Sequence, residues 1–184
     1  MSSPIESPEG HWWNWPMAGR ERTWLGMVGV TAVILFGWMV GWMVAGEQNP
    51  TGPTFRVSTR AFQQKVNAFK DSARRTDRGF RPAGRDVYVG ARQWGWDGLP
   101  VVLEAGREYR FHLSSYDVQH GFSVRPEDEL WKQINLQVVP GYEWVVPMSF
   151  DEPGTYHVLC NEFCGVGHRI MQARFHVVPS EGEG

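Results

Sequence analysis

The chain has 184 residues, a formal net charge of −2 and two cysteines. This charge gives no indication of nucleic-acid binding, because such domains are usually strongly basic. Two cysteines allow at most one bridge, which excludes a disulfide framework. The charge is unevenly spread, since residues 1–85 carry +5 and residues 86–184 carry −7.

An uncharged stretch near the amino end predicts a membrane-spanning helix. Residues 23–45 contain no charged side chain. At a rise of about 1.5 Å per residue, this stretch can cross the roughly 30 Å hydrocarbon core of a bilayer. A cleavable signal peptide is the alternative, but its apolar region is shorter. We therefore predict a cytoplasmic amino-terminal segment over residues 1–22 and a transmembrane helix over residues 23–45.

The next segment, residues 46–85, is predicted to be a basic linker that contains a short amphipathic helix. Phe55, Phe62, Val66 and Phe69 recur at helical spacing. Three environments are open for this helix: an anionic lipid surface, a partner subunit, or solvent on most of its surface.

The remainder of the chain is predicted to be a β-sandwich over residues 86–178, followed by a disordered tail over residues 179–184. Short apolar or alternating runs indicate strands, and Pro140-Gly141 and Pro153-Gly154 indicate turns between them. About a hundred residues of short strands suffice for one buried core. The predicted strands are 86–93, 109–113, 133–139, 142–148 and 174–178.

A cluster of metal-ligating residues lies near the carboxyl end. Cys160, Cys164, His168 and Met171 fall within twelve residues, and this soft sulfur and nitrogen set suits copper or zinc. The thioether favours copper, since structural zinc sites use thiolate, imidazole or carboxylate. A second histidine is needed to complete such a site, and His120 is the candidate. Two alternatives stay open, a disulfide between the cysteines and a zinc site formed by the two cysteines and the two histidines.

The chain resembles subunit II of the haem–copper oxidases over roughly residues 86 to 178. The resemblance rests on Asp117-Val-Gln-His-Gly-Phe122, Val139-Pro-Gly141, Pro153-Gly-Thr-Tyr156 and the cysteine loop. It implies an all-β, cupredoxin-like Greek-key sandwich preceded by one transmembrane α-helix. It also implies a dinuclear copper centre, CuA. The implied ligands are His120, Cys160, Cys164, His168, Met171 and the backbone carbonyl of Glu162.

The same resemblance implies roles for four further side chains. Trp94 and Trp96 fall where this family carries an aromatic patch through which electrons are taken up. The side chain of Glu162 corresponds to one that, in some relatives, also reaches a magnesium ion at the subunit interface. Glu21 resembles a glutamate at the mouth of a proton channel in relatives with a single membrane helix, although an ordinary surface carboxylate is the alternative.

The function implied is electron acceptance from a cytochrome c or a small cupredoxin, with transfer to haem in a large membrane subunit I that reduces oxygen. The chain has no haem-attachment motif and no acid–base constellation. It is therefore expected to deliver electrons, as a subunit of a cytochrome c oxidase, and to perform no oxygen chemistry itself. A CuA-bearing nitric oxide reductase is one alternative, and a membrane-tethered copper carrier or a structural zinc domain is another.

The expected location is the inner cell membrane, with the amino end cytoplasmic and the copper domain periplasmic. The positive-inside rule alone gives the opposite orientation, because Arg56, Arg60 and Lys65 follow the helix closely. Long domains, however, translocate largely regardless of charge, and the resembling family keeps its copper domain outside.

Overall fold

A computed structural model describes residues 16–46 and 52–180 of the protein. The chain divides into two compact units, Met1–Gln48 and Asn49–Gly184, which are described separately. Most of the predicted amino-terminal segment and most of the predicted tail lie outside the described residues, namely residues 1–15 and 181–184.

The first unit contains one helix, α1, over Gly19–Ala45. It is about 40 Å long at the usual helical rise, and none of its residues is buried. Its length and hydropathy are those of a membrane-spanning helix. The helix begins four residues before the predicted Thr23 because Glu21 caps it, accepting a hydrogen bond from the Ala18 backbone N–H at 3.2 Å.

The second unit is a sandwich of two five-stranded sheets. In hydrogen-bonded order, the first sheet is β1 (Thr54–Arg56), β10 (Tyr142–Met148), β7 (Tyr109–Ser115), β4 (Asp86–Arg92) and β5 (Gly95–Asp97). The second sheet is β6 (Val102–Glu104), β12 (Gln172–Val178), β11 (Gly154–Cys160), β8 (His120–Pro126) and β9 (Ile134–Val138). A small hairpin pairs β2 (Arg74–Thr76) with β3 (Gly79–Arg81). The predicted order of one apolar helix followed by a β-sandwich is confirmed.

The core between the sheets is aromatic and aliphatic. Phe111, Phe122 and Phe175 have no exposed surface, and Phe111 lies 6.2–6.4 Å from the other two, measured between ring centroids. Alternate residues of each strand point into this layer, which is why β7 and β11 alternate between apolar and polar positions. Burial of these rings supplies much of the free energy that holds the two sheets together.

The predicted amphipathic helix exists as α2, over Thr59–Ser72, but Phe55, which the predicted spacing included, lies on β1 instead. Ser58 caps its amino end by accepting a hydrogen bond from the Ala61 backbone N–H. Its buried side chains, Phe62, Val66 and Phe69, face the sandwich, and Phe62 and Phe69 lie 6.3 and 6.2 Å from the Tyr88 ring of β4. The apolar face is therefore used within the chain rather than on lipid or a partner.

Residues 52–85 of the predicted linker thus belong to the same compact unit as the sandwich. Two ion pairs also fix α2: Lys65 with the buried Glu143 of β10, and Lys70 with Asp97 of β5 at 2.8 Å. Much of the basic excess in this segment is solvent-facing, whereas these two lysines have partners within the fold.

The sandwich has two distinct ends. At one end, β11 finishes at Cys160 next to the start of β8 at His120. At the opposite end, β8 leads to β9 through residues 127–133 and β10 leads to β11 through residues 149–153. We call these the metal end and the distal end.

Candidate metal centre

The metal end gathers the groups that the resemblance implied as ligands. His120 begins β8, Cys160 ends β11, and Cys164, His168 and Met171 follow on the connection to β12. The donor atoms of His120, Cys160 and Cys164 all lie within 4.8 Å of one another. These three side chains are buried, with His120 fully enclosed.

The donors are arranged as two similar sets around two sulfurs. The Cys160 Sγ lies 3.7 Å from His120 Nδ1 and 3.1 Å from the Glu162 carbonyl oxygen. The Cys164 Sγ lies 3.6 Å from His168 Nδ1 and 3.7 Å from Met171 Sδ. Each sulfur therefore has one imidazole nitrogen and one weaker donor beside it.

The two sulfurs are 3.8 Å apart and both cysteines are free. A disulfide needs a separation of about 2.05 Å, so the alternative of a bridge between Cys160 and Cys164 does not describe this structure. The donor set of thiolate, imidazole and thioether is soft, and its chemistry fits copper.

Without a metal, the thiol of Cys164 is protonated at neutral pH. Burial, together with the adjacent Cys160 thiol, raises the pKa of Cys164 to about 11. Metal binding needs the thiolate, so it would release a proton from this group.

The ligand loop is held by its own backbone. The Cys160 N–H donates to the Met171 carbonyl, and the His168 N–H donates to the Gly165 carbonyl. The loop also lies against the start of β8, where a side chain at Gly121 would put its Cβ 2.9 Å from the Glu162 nitrogen. Only glycine allows this approach, which brings Glu162 next to His120.

Asp117 orients the imidazole of His120. Its Oδ1 lies 2.9 Å from His120 Nε2, so the opposite ring nitrogen, Nδ1, is directed at Cys160. Asp117 in turn accepts hydrogen bonds from the backbone N–H groups of Gln93 and Val118, at 2.7 and 2.6 Å. A carboxylate behind a ligating histidine fixes the ring and raises its basicity.

The same contacts set the charge of Asp117. Burial alone would raise the pKa of its carboxyl, but the hydrogen bonds from Gln93, His120 and Val118 outweigh burial and lower the pKa below its ordinary value. The group is therefore ionised at neutral pH and suited to hold an imidazole N–H.

Sequence reasoning did not single out Asp117 or Gln93 as site residues. The side-chain amide of Gln93 donates to the Cys164 carbonyl and so ties the β4–β5 turn to the ligand loop. A signal for Asp117 was available, since it stands three residues before His120 in the quoted motif. No sequence signal indicated Gln93, because its contact depends on two segments meeting in the fold.

The two predicted tryptophans lie at the metal end but in different environments. Trp94 is 42% exposed, and its ring covers the ligand loop so closely that a Cβ at Gly167 would lie 2.4 Å from it. Trp96 is buried, with its ring 6.4 Å from that of His120 and 5.4 Å from that of Phe122.

The remaining predicted site groups are the carboxylates of Glu162 and Glu21. The Glu162 Oε2 accepts a hydrogen bond from the Gln137 side-chain amide at 3.4 Å, so this carboxylate points away from the sulfurs while its carbonyl faces Cys160. Glu21 caps α1 in the first unit, and its role at a proton channel stays a prediction.

Comparison with known proteins identifies the family of the domain. Residues 89–178 match the family model described as cytochrome c oxidase subunit II, periplasmic domain. Two cytochrome c oxidase subunit 2 sequences from Thermus thermophilus are 39% identical over 85 residues, which is 46% of this chain and 59% and 48% of those relatives. A probable cytochrome c oxidase subunit 2 from Streptomyces coelicolor is 37% identical over 89 residues, covering 48% of this chain and 26% of the relative.

The matched region thus spans about half the length of the two Thermus relatives. A chain from a haem–copper terminal oxidase dimer, solved by electron cryo-microscopy, has a similar fold. The superposition covers 86% of this chain and 99% of the oxidase chain, with a TM-score of 0.54 and 24% sequence identity. These matches confirm the fold as a cupredoxin-like domain after an apolar helix, and they identify residues 89–178 as a domain of the cytochrome c oxidase subunit II family.

Proposed function

We propose that the chain is the electron-accepting subunit of a membrane haem–copper oxidase and holds a dinuclear CuA centre at the metal end. One observation carries the proposal: two buried sulfurs 3.8 Å apart, each with its own imidazole nitrogen and one weaker donor. A single tetrahedral zinc has no use for the thioether or the carbonyl. Two metal ions that share both thiolates would use all six donors.

His120, Cys160, Cys164 and His168 would be the strong ligands, and Met171 and the Glu162 carbonyl the weak ones. When bound, the copper pair supplies one-electron redox chemistry with the charge spread over both ions and both sulfurs. The chain's own residues fix the geometry, since Asp117 orients His120 and Gln93 holds the ligand loop. A ligand set held this rigidly changes little when an electron arrives, which favours fast transfer.

Electron uptake is assigned to the side of the site that reaches solvent. His168 is only half-buried, whereas His120 is fully enclosed. The exposed ring of Trp94 packs against the ligand loop that carries His168. Trp94 is therefore the better candidate for contact with a donor. Trp96, behind His120, is a packing residue of the inner side.

The other parts of the proposal concern partners and location. The donor would be a cytochrome c or a small cupredoxin, and the acceptor would be haem in a subunit I that reduces oxygen. The α1 helix would cross the inner cell membrane once, with the amino end cytoplasmic and the copper domain periplasmic. A magnesium ion at the Glu162 carboxylate and a proton-channel role for Glu21 would each require subunit I.

Electron paramagnetic resonance of the oxidised protein, with elemental analysis, tests the centre. We expect two coppers per chain and one unpaired electron shared equally between them. One zinc per chain with no copper signal would contradict the proposal and select a structural zinc site, and a single weakly held copper would select a carrier.

The reaction is tested separately on the purified complex. Reduced cytochrome c should be oxidised rapidly under oxygen. Rapid oxidation under nitric oxide alone, with none under oxygen, would assign the same centre to a nitric oxide reductase instead.

A further inference from the structure

The distal end carries a cleft that the proposed electron transfer does not use. It has a volume of about 360 Å³ and lies between residues 127–133 and residues 149–153. Its floor is apolar, formed in part by Val124, Phe150 and Tyr156, which are 2%, 6% and 7% exposed. The cleft is therefore a rigid depression on the core, rather than a gap between mobile side chains.

The rim of the cleft is strongly acidic. It is lined by three carboxylates and one amine, from Glu129, Asp151, Glu152 and Lys132, and Glu127 and Asp128 stand on the same connection as Glu129. Lys132 is paired with Glu129 and also lies 4.0 Å from Glu152, and the side chains of Asp151 and Glu152 are exposed. The pKa of Tyr156 on the floor is raised by burial and then by the Glu152 and Asp151 carboxylates.

Two large apolar side chains stand exposed beside the cleft. Leu130 is 54% exposed and Trp131 is 74% exposed, both on the β8–β9 connection that forms one wall. Adjacent exposed apolar residues rimmed by charge are typical of protein-binding surfaces, where tryptophan is among the commonest energetic anchors.

This surface is remote from the metal ligands. Strand β8 runs from His120 at the metal end to Pro126 at the cleft, and six strand steps correspond to about 20 Å. The part of a partner protein that occupies the cleft would therefore not contact the metal ligands.

We propose that the distal cleft docks a basic partner protein through a segment in which a lysine or arginine lies beside a bulky apolar side chain. The apolar side chain would occupy the floor next to Phe150 and Tyr156, and the cation would pair with Asp151 and Glu152. Charge complementarity selects this occupant, because the floor suits any apolar group but the rim repels an acidic one. The inference does not depend on which metal the other end holds.

The test uses the full chain in nanodiscs of phosphatidylcholine and a fluorescein-labelled peptide of alternating lysine and leucine. Fluorescence anisotropy should show binding that exceeds binding to empty nanodiscs and weakens as salt is raised. A peptide with glutamate in place of lysine should not bind.

Two charge-matched double variants locate the site. Asp151→Asn with Glu152→Gln should weaken lysine-peptide binding by about fivefold, whereas Asp71→Asn with Asp77→Asn on α2 and the β2–β3 turn should leave it within about twofold. Trp131→Ala should weaken binding without changing its dependence on salt, because it removes an apolar contact.

Equal weakening by both double variants would overturn the proposal, since binding would then follow net charge alone. Binding of the two peptides to the same extent would also overturn it. A concentration-dependent dimer in sedimentation velocity, abolished by Asp151→Asn with Glu152→Gln, would assign the cleft to a second copy of this chain and not to a basic partner.

Discussion

The two ends of the sandwich are built on opposite principles. The distal half is closed by aromatic packing, with Phe175 stacked on Tyr156 at 5.3 Å and against Phe150 at 5.0 Å. The metal end buries polarisable donor atoms that point at one another, among them two thiols and the imidazole of His120. The aromatic packing is stable without a ligand, whereas the cluster of donor atoms gains its full stability from a bound metal.

The two ends also differ in the polarity of their exposed surfaces. The metal end exposes Phe163, Val166 and Ile170 at 79%, 93% and 57%, so its face around the ligand loop is apolar. The distal end instead has five carboxylates on the two loops that border the cleft, residues 127–133 and 149–153. This acidic cleft and the proposed redox site therefore lie at different ends of the sandwich.

The largest expected effect comes from removing one of the two sulfurs of the donor cluster. Cys160→Ser should abolish the dinuclear centre, because a hydroxyl is a poor ligand for copper and its neighbours at 3.1–3.8 Å lose their common partner. Elemental analysis and electron paramagnetic resonance measure the loss, and circular dichroism should still show the β-sandwich. An unaltered copper spectrum would remove Cys160 from the ligand set.

The next largest effect is expected on the free energy of unfolding, from a change in the packing of the distal half. Phe175→Ala should lower the free energy of unfolding by about 3–5 kcal/mol, because it leaves a cavity among packed rings. The matched change at the metal end, Phe163→Ala, removes an exposed ring and should cost less than about 0.5 kcal/mol. Urea unfolding compares the two, and equal losses would mean that the two ends do not differ as described.

A smaller change is expected from two buried methionines, one at each end. Met171→Leu should leave copper bound but shift its reduction potential, because it removes the thioether 3.7 Å from Cys164 Sγ. Met148→Leu, also buried but on β10 at the distal end, should leave the potential unchanged. Potentiometric titration of both variants decides the matter, and an equal shift would exclude Met171 as a ligand.

The smallest effect concerns pH at the distal half. Burial, followed by the charges of Arg78 and Arg174, lowers the pKa of His176 below its ordinary value of 6.5. The unfolded chain then binds more protons than the folded one at acidic pH, so stability is fully present above about 6.5 and falls as pH drops through the folded value.

His176→Gln should remove this slope, amounting to less than about 1 kcal/mol after screening by solvent. Chemical unfolding at pH 7 and at pH 5 measures it, with His157→Gln as the control on the neighbouring strand. A slope that persists in His176→Gln and disappears in His157→Gln would contradict the prediction, because it would attribute the pH dependence to His157.

Much of this protein was predictable because its signals are local. The apolar stretch 23–45 lies inside α1, and the twelve-residue segment 160–171 contains four of the five implied side-chain ligands. The predicted strands at 86–93, 109–113, 142–148 and 174–178 overlap β4, β7, β10 and β12, since alternation of apolar residues directly reflects burial on one face.

What the amino-acid sequence determined by itself was therefore the anchor helix, the β character of the domain and the chemistry of the ligand loop, each encoded over a few consecutive residues. The tertiary structure alone decided which groups meet across the fold: Asp117 and Gln93 behind the ligands, α2 packed on β4, and two acidic loops brought together at the distal cleft. These depend on strands brought together from distant parts of the chain, and side-chain spacing along one segment carries no record of such contacts.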